Sequence, residues 1–75
     1  MKTENNSVIL VHATSHALRA EKLVKQAGIS CRLIPVPRRL SSDCGVCLRV
    51  KQADRDVVEQ LLTDSRLEIE SVHDL

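Results

Sequence analysis

The 75-residue sequence contains no Phe, Tyr or Trp. Its hydrophobic core must therefore be built from Val, Leu, Ile and Ala. The same absence removes the rings on which single-stranded nucleic acids usually stack. Neither sign of charge predominates: 11 basic residues stand against 10 acidic ones, for a formal net charge of +1. Such a balance argues against a general binder of phosphate backbones. No apolar run approaches the roughly 18 residues a membrane helix requires. The opening stretch MKTENNS, residues 1–7, carries no hydrophobic signal region. These absences lead us to expect a cytoplasmic protein with neither a nucleic-acid nor a membrane partner. A chain of this length makes one domain and has no room for a deep cavity. Any chemistry must lie on a surface loop or in a shallow groove.

Hydrophobic periodicity organises what is present. Residues 1–7 read as a flexible tail and residues 8–75 as a single domain. Val8–Val11 is a short apolar, β-branched run, the mark of a buried strand. Thr14 and Ser15 offer an N-cap for a helix over residues 15–27. Ala13, Ala17, Ala20, Val24 and Ala27 form its apolar stripe, extended by Leu23, and Gly28 stops it. Leu18 falls off the stripe and is expected at the surface. Residues 31–36, CRLIPV, alternate, with Cys31, Leu33 and Pro35 facing one way and Arg32, Ile34 and Val36 the other. Pro35 cannot donate to a ladder, which places this strand at a sheet edge. RRLSSDCG, residues 38–45, is a polar loop.

Val46–Val50 follows as a third strand, with Val46, Leu48 and Val50 towards the core and Cys47 and Arg49 towards solvent. A second helix starts at Ala53 or Asp54 and runs to Thr63, with Val57, Val58, Leu61 and Leu62 as its stripe. Asp54 and Asp56 lie where the helix dipole favours negative charge. Leu67–Val72 alternates as a fourth strand, leaving His73 in a C-terminal tail. The order βαββαβ is that of an α+β, ferredoxin-like fold. Its four strands form one antiparallel sheet, and right-handed crossovers put both helices on one face. The other face is then open or covered by a partner, and we expect a homodimer through it.

Chemical character is concentrated in the connection between the second and third strands. Cys44 and Cys47 are separated by two residues, and Arg38 and Arg39 lie six and five residues upstream of Cys44. A nucleophilic cysteine acts as thiolate, which neighbouring cations favour. Gly45 leaves the backbone beside Cys44 uncrowded, and its amide with those of Ser42 and Asp43 could form an anion-binding nest. Ser41 adds a second small hydroxyl residue. The Asp43 carboxylate works in the opposite sense. We expect Cys44 to be the freer, loop-borne nucleophile or carrier and Cys47 a resolving partner. Zinc needs four ligands, and Cys31, His12, His16 and His73 fall at no finger spacing, so no metal is expected. A thioredoxin-type motif starts a helix, whereas this pair precedes a strand. Two buried structural thiols are the plainest alternative. Cys31 reads as core, and no cofactor motif is present.

Several strings together resemble a known family. They are Ala17-Leu18-Arg19-Ala20-Glu21-Lys22, Gly28-Ile29, Pro35-Val36-Pro37-Arg38, Ser41-Ser42-Asp43-Cys44-Gly45 and Leu48-Arg49. From about Val8 to Val72 the chain looks like the Se/S carrier protein-like family. P-x-P-R followed by S-S-x-C-G is the most specific part. The resemblance implies a carrier rather than a stand-alone enzyme, holding sulfur or selenium on Cys44 as a persulfide or selenopersulfide. Arg38, Ser41, Ser42 and Gly45 fall on the family's motif positions. A donor such as a cysteine desulfurase would load Cys44, an acceptor enzyme would receive the atom, and Cys47 could expel it by closing a disulfide. Arg38 or Arg39 would stabilise the anion or dock the partner. The alternative is a non-catalytic regulatory or protein-interaction module of the same fold.

Overall fold

The computed structural model describes residues 5–40 and 44–75. Period-two alternation sorts the strand side chains onto two faces of one sheet. The strands are β1 (Asn6–Leu10), β2 (Cys31–Pro35), β3 (Val46–Lys51) and β4 (Ser71–Asp74). The helices are α1 (Thr14–Gln26) and α2 (Arg55–Asp64), the latter preceded by a short 3-10 turn at Gln52–Asp54. The sheet order is β2-β3-β1-β4, and every neighbouring pair is antiparallel. The fold is α+β and ferredoxin-like. β2 pairs only with β3, so Pro35 does lie on an edge strand. No helix among the described residues is long and apolar enough to cross a membrane.

Both helices cover the same face. Ile9, Val11, Leu48 and Val50 pack there with Ala17, Ala20 and Val24 of α1 and Val58 and Leu62 of α2. Small alanines let α1 lie close, and each buried Val, Leu or Ile contributes about 1.5–3 kcal/mol. The opposite face differs from expectation. Val8, Leu10 and Cys47 are fully buried there, against Ile34, Val36 and Leu40. Cys47 is thus not solvent-facing, and this part of the face is not bare. The chain leaving β2 turns back across it: the Leu40 amide donates to the Pro37 carbonyl at 2.9 Å. That turn carries Arg38 and Arg39, both exposed, at its tip.

Local rules explain the remaining departures. β1 begins at Asn6, inside the expected tail, because Ser7 is buried with its hydroxyl donating to Asp74 Oδ1 at 2.6 Å. Ala13, not Thr14 or Ser15, occupies the N-cap of α1. Ala27 is exposed rather than part of the stripe. Leu18 is 54% exposed, as expected, but Val57 at 58% is not part of the α2 stripe. The fourth strand starts later than its alternation suggests. Leu67 and Ile69 do turn into the helix-side cluster, yet the ladder with β1 begins only at Ser71. His73 consequently lies within β4, opposite Val8, and not in a tail.

Both helices end in the same motif. At α1, the Ile29 amide donates to the Val24 carbonyl at 3.1 Å and the Gly28 amide to the Lys25 carbonyl at 3.0 Å. At α2, Leu67 donates to Leu62 and Arg66 to Thr63, each at 3.0 Å. These are Schellman closures, which require positive φ at the intervening residue. Gly28 has φ 79° and Arg66 has φ 60°. A Cβ at Gly28 would meet nothing within 4 Å, so its requirement is conformational. Gly28→Ala should therefore cost about 1 kcal/mol despite the open space. Arg66→Gly should cost nothing, because relieved strain of about 1 kcal/mol offsets the added freedom of the unfolded chain. Urea unfolding midpoints check both.

A polar clasp closes the sheet at β4. Asp74 accepts from Ser7 and from Arg55 Nη1, the latter at 2.7 and 2.8 Å. The Ser7 hydroxyl and then the Arg55 guanidinium hold the Asp74 carboxyl below its ordinary value. A depressed folded-state value means stability that is present above the ordinary carboxylate range and lost as pH falls through the lower folded value. Asp74→Asn should thus be less stable than wild type near neutrality, and the gap should close on acidification. A pH-independent gap in thermal unfolding would contradict the clasp.

Candidate functional site at the start of the first helix

Strand parity determines where Cys44 points. Val46, Leu48 and Val50 face the helices, and Cys44 keeps the same parity two residues before β3. Its side chain enters the helix-side cluster and is only 3% exposed. The expected freely exposed thiol is therefore not what the fold presents. A second constraint comes from register. Leu10 pairs with Cys47, so the chain leaving β1 passes the residues that enter β3. α1 begins four residues after β1 ends, beside Cys44. Thr14, its first residue, places Oγ1 3.6 Å from Cys44 Sγ.

This contact changes the electrostatic reading of the pair. In the sequence, Cys44 precedes a strand. In space, it lies at the N-terminal turn of a helix of 13 residues. Negative charge is favoured there by the aligned peptide dipoles. No acidic residue lies in the first turn of α1, and Ala13 supplies no side-chain cap. Beside Cys44, Gly45 is exposed, and a Cβ there would meet nothing within 4 Å. The Val36 amide donates to the Gly45 carbonyl at 3.1 Å, which anchors the β2–β3 hairpin just beyond Cys44. Thr14 was not singled out as a functional residue from the sequence. The signal was its position shortly after a strand that pairs with the strand following Cys44.

Among the described residues, the more distant candidates Arg38, Arg39 and Cys47 do not converge on Cys44. Cys47 points to the opposite side of the sheet, into the cluster with Val8 and Leu10. Burial first, and the nearby charge of Cys44 second, push its thiol above the ordinary value. None of the three cysteines forms a disulfide. A Cys44–Cys47 disulfide would require one side chain to leave its cluster. Arg38 and Arg39 stand on the turn whose Leu40 packs on the far face. Ser41, Ser42 and Asp43 lie outside the described residues.

Cys31 packs against the helix-side cluster, as expected, with Sγ 3.8 Å from the Glu21 carbonyl oxygen. Burial raises its thiol too, opposed by the Lys25 charge. His12 is exposed, His16 has a buried Nδ1, and His73 Nε2 lies 3.0 Å from Ser71 Oγ. Among the described residues, no three His, Cys, Asp or Glu side chains are grouped to hold a metal ion. A raised, buried thiol reacts slowly, so iodoacetamide at mildly alkaline pH should label Cys47 much more slowly in native protein than in urea. Equal rates in the two conditions, read by peptide mass, would contradict its burial.

Comparison with known proteins adds one finding. The chain matches the family model described as "Putative Se/S carrier protein-like" over residues 6–74. No curated protein and no solved structure matches it. A carrier family implies protein partners in sulfur or selenium metabolism. The match extends from the first residue of β1 to the last of β4, and on that coverage the chain belongs to the Se/S carrier protein-like family.

Proposed function

We propose that the protein carries sulfur or selenium on Cys44, as a persulfide or selenopersulfide, between a donor and an acceptor enzyme. The observation that carries this reading is the Thr14–Cys44 contact at the start of α1. A terminal sulfur anion on Cys44 would meet the positive end of the helix and a hydroxyl able to donate to it. The family membership supplies the class of cargo.

Loading conserves electrons. The Cys44 thiolate attacks the outer sulfur of a donor persulfide, such as that of a cysteine desulfurase. The donor S–S bond breaks, the donor thiolate leaves, and Cys44 holds the S–S⁻ group. Attack by an acceptor thiolate on the same outer sulfur repeats the exchange and restores the Cys44 thiolate. Neither step needs Cys47. If Cys47 instead attacked the inner sulfur, the pair would become a disulfide and sulfide would leave, so an external reductant would be required each cycle. The buried Cys47 thiol favours the first route. Arg38 and Arg39, on their exposed turn, serve partner recognition in this reading.

A non-catalytic interaction module is the competing reading, and the 3% exposure of Cys44 favours it. Under the carrier reading, the wild type incubated with a cysteine desulfurase and cysteine gains the mass of one sulfur atom, which reductant removes. Cys44→Ser gains nothing, and Cys47→Ser keeps most of the adduct. Thr14→Val loads about tenfold more slowly, the loss of one hydrogen bond to a charged group. An interaction module gains no adduct in any variant.

A further inference from the structure

The sheet face away from the helices is basic. Register places Arg32 of β2 directly opposite Arg49 of β3. Arg49 in turn lies opposite Val8, and Val8 opposite His73. One row across all four strands thus reads Arg32, Arg49, Val8, His73. Lys51 shares this face by alternation, and Arg38 and Arg39 project from the turn folded onto it. The described strand positions of this face are Asn6, Val8, Leu10, Arg32, Ile34, Cys47, Arg49, Lys51, Ser71 and His73, and none is acidic. The described acidic residues lie on the helices, their connections and the helix side of β4, interspersed there with Arg19, Lys22, Lys25, Arg55 and Arg66. The far face alone carries charge of one sign.

This one-signed face is costly to the fold. Like charges directly opposite one another on neighbouring strands destabilise a sheet, and an acidic residue at either position would relieve the repulsion. We propose that this face docks an acidic surface of a partner protein, with Arg32 and Arg49 as its centre. The need for such a partner rests on the carrier reading. Two observations favour protein over nucleic acid. The chain has no aromatic side chain to stack bases, and its net charge is only +1. A second copy seated through its acidic α2 would make a heterologous, head-to-tail contact and not a two-fold dimer.

The test is a titration of ¹⁵N-labelled full-length protein with an oligoglutamate peptide, and in parallel with a short RNA duplex of matched charge. The peptide should shift amides of β2, β3 and β4, and the effect should fade with added salt. The Arg32→Glu, Arg49→Glu double variant should weaken peptide binding about tenfold or more. Arg32→Glu alone should raise the urea midpoint by pairing with Arg49, so its weaker binding cannot be blamed on misfolding.

Shifts confined to the helices, binding unaffected by the double variant, tighter binding of the duplex, or shifts that follow protein concentration alone would each overturn the proposal. Sulfur loading of Cys44 from a small polysulfide is measured on the same variants and should be unchanged. Loading without peptide binding removes the docking face alone. Peptide binding without loading removes the carrier reading and leaves the docking face standing.

Discussion

The antiparallel pairing of β1 with β3 is the constraint on which the site depends. Leu10 opposite Cys47 brings the exit of one strand to the entrance of another. Because a helix follows the first strand within a few residues, its N-terminus must start where the cysteine segment ends. Parity then turns Cys44 towards the helices and Cys47 away from them. A register slip of one residue would exchange the two cysteines between the faces. The catalytic reading of the pair thus follows from strand geometry more than from the CxxC spacing itself.

Two faces of one sheet divide the work. The helix side holds the larger core and the thiol at the start of α1. The far side holds a small apolar cluster roofed by Val36 and Leu40, beside a row of cations. Without aromatic residues the core is spread over many aliphatic side chains, and the second cluster adds its share of buried apolar surface. Burial there pushes the Cys47 thiol up, while Cys44 keeps an uncrowded neighbour in Gly45.

Much of this was legible in the residues. A first strand around Val8–Leu10, the centre of the α1 stripe at Ala17, Ala20 and Val24, Pro35 at an edge and the βαββαβ order all follow from period and backbone chemistry, and the structure bears them out. Where local rules misled, a non-local partner had decided. Cys47 reads as solvent-facing by alternation, but Leu40 returns to cover its side of the sheet. His73 reads as tail, but β1 had an unpaired edge to fill. Thr14 reads as a cap, and its hydroxyl instead meets a sulfur 30 residues away. The charged row of Arg32 and Arg49 is invisible until the register is known, because the residues are 17 positions apart.

The most direct measurement is anomalous diffraction at the selenium edge from crystals of protein loaded by a cysteine desulfurase acting on selenocysteine. A single peak within bonding distance of Cys44 Sγ, on the side of Thr14 Oγ1, is the expected result. A peak on Cys47 or Cys31 in its place, or none from protein exposed to the active donor, would contradict a chalcogen carrier built at the start of α1.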